Sequence, residues 1–139
     1  MFQAYNLIQE FSVEDNITLP LRFDKNKDRE TFREVVEALG LKDKLKRRPM
    51  ALSGGEQQRV AIARALAGGA KIILADEPTG NLDEENGAVV VSILQRLAHE
   101  DGYCVIVVTH DMGIADKADE VIRLSDGRIV SSESAADVG

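Results

Sequence analysis

An α/β fold built on a parallel sheet is the class this sequence predicts, and three observations predict it. Short apolar runs alternate with amphipathic helical stretches through most of the chain. The two strongest runs end on Asp76-Glu77 and Thr109-His110, charged or polar residues at the strand edge where such sheets bind ligands. The first fifty residues differ, holding one convincing helix and little strand signal, which predicts a helical subdomain beside the sheet.

Taken in order, Glu30 to Leu39 places Phe32, Val35, Val36 and Leu39 at i, i+3, i+4 and i+7, one apolar helical face. Asp28 is a candidate cap for its start, and Gly40 ends it. A second helix opens at Gly54-Gly55 and runs through Val60, Ala63 and Leu66 to Gly68-Gly69. Lys71 to Ala75, closed by Asp76-Glu77-Pro78, has the pattern of a strand buried on both faces. A helix from about Glu84 to Ala98 turns Val90, Ile93, Leu94 and Leu97 inward, and a second buried strand runs from Cys104 to Thr109. A short helix from Asp111 to Ala118 leads to a strand at Val121–Leu124. There Asp126-Gly127 reads as a tight hairpin turn into Arg128-Ile129-Val130. The order strand, helix, strand implies parallel pairing through a right-handed crossover. The small, polar stretch from Ser131 to Gly139 is expected to fray.

Composition narrows the function classes. A chain of 139 residues predicts one domain at most, and 44% hydrophobic content is ordinary for a soluble protein. No stretch approaches the roughly eighteen apolar residues that span a bilayer. Met1 to Asn6 has neither the basic nor the apolar region of a secretory signal, so the expectation is a cytoplasmic protein. A single cysteine, Cys104, excludes an internal disulfide and is expected to be a buried thiol. The net charge of −7 argues against a nucleic-acid partner, and the one basic run, Lys42 to Arg48, reads as a solvated face.

Three segments carry chemistry. In Leu52-Ser53-Gly54-Gly55-Glu56-Gln57-Gln58-Arg59-Val60, two glycines after a serine at a helix mouth leave backbone N–H groups open to an anion; the same residues also read as a simple N-cap with a glycine turn. In Ile72-Ile73-Leu74-Ala75-Asp76-Glu77, Asp76 at a strand end can hold Mg²⁺ and Glu77 can orient or deprotonate a water. Adjacent acids there also occur as helix-capping or solvent-facing pairs. In Val105-Ile106-Val107-Val108-Thr109-His110-Asp111, His110 would end its strand at the same sheet edge and can donate to a phosphate oxygen, or can stand half-buried beside a capping Asp111. His99 reads as surface.

The order Leu-Ser-Gly-Gly, Asp-Glu at a strand end, Asn81-Leu82-Asp83, then Thr-His-Asp after a strand closely resembles the ATP-binding-cassette (ABC) transporter ATPase family along essentially the whole chain. By that resemblance Leu52 to Gln57, with Ser53, Gly54, Gly55 and Glu56, is the signature motif, and Ile72 to Asp76 is the Walker B strand. Glu77 matches the catalytic glutamate, Asp83 belongs to the D-loop, His110 is the switch histidine and Gln3 the Q-loop glutamine, a Mg²⁺ and γ-phosphate contact. Glu56 departs from the glutamine that many members carry. The wording Ala75 to Asp83, with Asn16 to Leu21, is most similar to the lipoprotein-releasing and macrolide-export group. The fold implied is a phosphate-loop NTPase core with a helical signature subdomain. Residues 1–68 would form the Q-loop and signature part, and residues 69–139 the Walker B, D-loop and switch-histidine part.

One element of that family is missing. No glycine among the 11 precedes a lysine and no two stand five apart, so the sequence contains no Gly-x-x-x-x-Gly-Lys-Ser/Thr phosphate loop. In the family this loop precedes the Q-loop, which the resemblance places at residue 3, so the expectation is an incomplete cassette. The resemblance further implies ATP and Mg²⁺ as cofactors, a second ATPase subunit paired head to tail, transmembrane permease subunits, and a place at the inner face of the cell membrane. A cassette subunit inactive alone is one expectation; a non-catalytic partner supplying its signature in trans is the other. A chromosome-maintenance ATPase would need long heptad insertions, and none is present.

Overall fold

The computed structural model of the chain describes residues 6–22, 29–69 and 71–134. Gln3, the expected Q-loop glutamine, the expected cap Asp28 and the tail from 135 lie outside them. The described residues fall in two compact units, Met1–Val107 and Val108–Gly139.

The first unit opens with helix α1, Val13–Thr18, which the sequence reading missed. It is too short to show a helical period, and its signal is the cap: Ser12 Oγ accepts the Asp15 N–H at 3.1 Å and donates to the Asp15 carboxylate at 2.6 Å. Behind it Asn16, wholly buried, organises the preceding loop. Its Oδ1 accepts the Ile8 N–H at 2.8 Å, while its Nδ2 donates to the Ile8 and Ser12 carbonyls at 3.0 Å. The loop is also tied to the longest helix of the unit's first half, because Arg64 Nη1 donates to the Asn6 carbonyl at 2.7 Å.

Helix α2, Arg29–Ala38, follows the expected span to within a residue, with Val35, Val36 and Leu39 buried. It ends as glycine predicts: Gly40 takes φ 63°, its N–H donates to the Glu37 carbonyl, and the Leu41 N–H donates to the Val36 carbonyl at 2.9 Å. That turn drives Leu41 fully into the core.

Helix α3, Gly54–Ala67, packs against α1, against α2 and against α4, Glu84–His99. Val60, Ala63 and Leu66 of α3 are buried as expected, as are Val90, Ile93, Leu94 and Leu97 of α4. Strands β1, Ile72–Asp76, and β2, Cys104–Val108, pair in a parallel sheet with α4 as the crossover. The Cys104 N–H donates to the Lys71 carbonyl at 2.9 Å, and the Lys71 ammonium stands 4.7 Å over the Tyr103 ring, which fixes the entry of both strands.

Two expectations are corrected here. The strands are covered on one face only: Ile73 is buried and Ala75, Val105 and Val107 pack against the core, whereas Ile72 is 58% and Leu74 76% exposed. Cys104 is likewise exposed. The reason is the period of two in a strand: the helices cover one alternate set of side chains, and nothing among the described residues covers the other.

In the second unit, the helix predicted for 111–118 is shortened to α5, Met112–Ala115. Strands β3, Glu120–Ser125, and β4, Arg128–Ser134, form the expected antiparallel hairpin, with Ser125 opposite Arg128. Asp126 and Gly127 both take positive φ, 48° and 72°, the geometry of a type I′ turn. Residues 131–134 do not fray. They complete β4, and Ser132 Oγ donates to Glu120 at 2.9 Å.

Candidate functional site

At the mouth of α3, Ser53 is the N-cap with extended backbone, φ −66° and ψ 162°. Its Oγ accepts the Glu56 N–H at 3.2 Å and the Glu56 carboxylate accepts the Ser53 N–H at 2.8 Å, a reciprocal capping box. The capping and anion-binding readings of this segment are compatible. A serine oxygen that accepts still has its proton to donate outward, and the Gly54 and Gly55 N–H groups lie in the first turn, where no carbonyl one turn back exists to accept them.

Glu56 makes a second contact that sequence reasoning missed. Its Oε1 lies 2.9 Å from Lys44 Nζ, with only 27% of the lysine and 19% of the glutamate side chain exposed. The Lys44 hydrogen bond, and then the Ser53 N–H, hold this carboxyl below its ordinary value of 4.5. Lys44 is therefore not part of a merely solvated basic face, as the run 42–48 suggested. No local spacing links residues 44 and 56; the chain reversal between them does.

The structure also brings Gly55 against Asn86, which is held by Asp83, the expected D-loop residue. Asp83 caps α4, accepting the Asn86 N–H at 2.8 Å, and both its oxygens accept the Asn86 side-chain amide, at 3.0 and 2.9 Å. These bonds hold the Asp83 carboxyl below its ordinary 3.8. The same amide crowds Gly55: a Cβ there would stand 2.6 Å from Asn86 Oδ1 and 2.9 Å from its Cγ. Gly55 is thus required by a close approach, and Asn86 is a second residue that only the folded chain reveals.

Asp76 ends β1 exposed on its outer face. Glu77 follows in the left-handed region at φ 45°, a conformation costing about 1–3 kcal/mol for a non-glycine residue and concentrated at functional sites. Its carbonyl accepts the Gly80 N–H at 3.2 Å and starts the turn toward Asp83. Among the described residues no three His, Cys, Asp or Glu side chains are grouped to hold a metal by themselves. One strand-end carboxylate suits a Mg²⁺ that brings phosphate oxygens as its other ligands. In the second unit His110 is exposed and not half-buried, while Asp111 accepts the Gly113 N–H at 2.8 Å and caps α5, as one of the two readings of that segment had it. His99 is exposed, as its position predicts. No helix of the described residues is long and apolar enough to cross a membrane.

Comparison with known proteins agrees with this geometry. The ABC transporter family profile matches residues 1–80. The macrolide export ATP-binding/permease protein MacB of Aggregatibacter actinomycetemcomitans is 46% identical over 134 residues, 94% of this chain but 21% of that protein. A homologue of the same name from Psychrobacter arcticus is also 46% identical, over 94% of this chain and 20% of its own. Among solved structures, the ATP-binding cassette MJ0796, determined as a dimer bound to ADP and phosphate, superposes with a TM-score of 0.81 at 40% identity, over 96% of this chain and 60% of that one. A second dimeric structure of the same cassette gives 0.81 at 41%. The chain thus spans about a fifth of the curated relatives it matches. With more than half of its residues inside the family profile, and with its fold matched by solved cassettes, the chain belongs to the ABC transporter family.

Proposed function

We propose that these residues belong to an ATP-hydrolysing subunit of an export-type transporter, and that their signature turn closes the site on a nucleotide held by a second cassette. The observation that carries the reading is the α3 entrance: the exposed Ser53 caps a helix that opens on Gly54 and Gly55, whose first-turn N–H groups have no intrahelical acceptor, which suits a terminal phosphate. Ser53 and Gly55 bind in trans. Glu77 polarises the attacking water, Asp76 holds the Mg²⁺ shell, Asp83 lines the D-loop, and Gln3 and His110 contact the γ-phosphate. Mg²⁺, arriving with ATP, supplies charge neutralisation on the phosphates. The functional division falls near residue 68, with the Q-loop and signature before it and the hydrolytic carboxylates after it. The dimeric cassettes among the solved relatives support pairing with a second cassette, and the joint ATP-binding/permease names of the curated relatives support membrane partners; the head-to-tail arrangement and the place at the inner membrane face are what the family likeness implies.

A second reading rests on a specific observation: the 139 residues hold no Gly-x-x-x-x-Gly-Lys-Ser/Thr. By themselves they then act as a non-catalytic module that lends its signature to an intact partner. Calorimetry of Mg-ATP against the purified chain, with Glu77→Gln alongside, tests the common core of both. Neither protein is expected to show detectable binding alone, while an intact cassette should pair with either in the presence of ATP. Stoichiometric binding by the isolated chain would overturn action in trans.

A further inference from the structure

The signature turn carries a charge problem that its fold answers. Glu56 places a carboxylate at the mouth of α3, accepting the Ser53 N–H at 2.8 Å, at the helix end that would receive a polyphosphate. An ionised carboxylate there opposes the partial positive charge of the helix mouth and repels an incoming anion. Lys44, from the turn Lys42–Lys44, puts its ammonium 2.9 Å from the other oxygen of that carboxylate. The limited exposure of both side chains keeps the pair from being fully screened. We infer that Lys44 is a positioning residue for nucleotide capture in trans: by cancelling the charge of Glu56 it leaves the Ser53–Gly55 mouth attractive to phosphate while preserving the capping box that shapes it.

A glutamine at position 56 would keep an acceptor for the Ser53 N–H and carry no charge, so the need for Lys44 should exist only with glutamate there. This inference rests on the in-trans reading, and the two can fail separately. The test pairs the chain with an intact cassette of this family, made hydrolysis-deficient by glutamine in place of its catalytic glutamate. ATP-dependent association is titrated by fluorescence for wild type, Lys44→Met, Glu56→Gln and the double variant, with thermal midpoints recorded in parallel. Lys44→Met is expected to weaken association about tenfold. Glu56→Gln should associate at least as well as wild type, and the double variant should match Glu56→Gln to within about twofold. An equal loss on removing Lys44 in both backgrounds, or no loss in either, overturns the role of Lys44. A loss that tracks the thermal midpoint assigns the pair to stability alone and overturns it too. If wild type shows no ATP-dependent association, the in-trans reading itself falls.

Discussion

At the scale of single residues, the Gly55 position shows how a motif glycine can be demanded by a neighbouring side chain. Alanine there would set its Cβ 2.6 Å from Asn86 Oδ1. The amide cannot swing aside freely, because Asp83 accepts from its nitrogen with both oxygens. Gly55→Ala is therefore expected to destabilise the chain by about 1–3 kcal/mol in urea unfolding. Adding Asn86→Ala should recover part of that loss, since it removes the two closest atoms and leaves only the Asn86 Cβ, at 3.0 Å. The same cost in the presence and absence of the asparagine side chain would mean that the contact is not its cause. Leu-Ser-Gly-Gly was legible as a capped helix start from its residues; the partner of its second glycine was not, since residues 55 and 86 meet only through the packing of α3 on α4.

At the scale of elements, helix ends were the best-read features because their signals are local. Ser53 and Gly40 bound α3 and α2 as expected, and only α1 escaped, its six residues giving a cap but no period. The α3 capping box also makes an acid prediction. Lys44 and the Ser53 N–H favour ionised Glu56 in the folded state, so its carboxyl sits below the ordinary 4.5. A group with a depressed folded value contributes stability that is complete above its unfolded value and is lost as pH falls through the folded one. Glu56→Gln should thus be less stable than wild type by about 0.5–1 kcal/mol near pH 7, a figure discounted for partial exposure. The two should converge as pH drops below 4.5, toward and through the lower folded value. Urea melts at stepped pH read the difference directly, and a gap that widens in acid would contradict the pairing. Asp15 and Asp83, also held below their ordinary values by capping bonds, change in the same direction in both proteins and so cancel in the comparison.

At the scale of the molecule, the outer face of the parallel sheet dominates. Ile72, Leu74 and Ile106 are roughly half exposed or more, and Cys104 shares that face by alternation. Covering such side chains is worth about 1.5–3 kcal/mol each. Association costs an estimated 4–15 kcal/mol, so covering this face yields at most a modest surplus. The 139-residue chain in isolation is accordingly expected to self-associate reversibly through this face, with sedimentation or light scattering showing mass that rises with concentration. Leu74→Lys should shift the balance toward monomer while leaving the core side of β1 intact. A monomer of wild type across the whole concentration series would show that the face is hidden in some other way.

The sequence by itself determined the α/β class, the helix periods, the hairpin at Asp126-Gly127 and the family, because each of these is written in residue types at short spacing. It also offered the signature, Walker B and switch segments, whose roles are what the family likeness implies and what the proposed function rests on. Tertiary structure alone decided that the strands are covered on one face, that Cys104 is exposed, that Asn86 meets Gly55 and that Lys44 pairs with Glu56. The physical reason is common to all four. Periodicity tells a side chain which face of its own element it occupies, but what lies opposite that face depends on how elements distant in sequence pack.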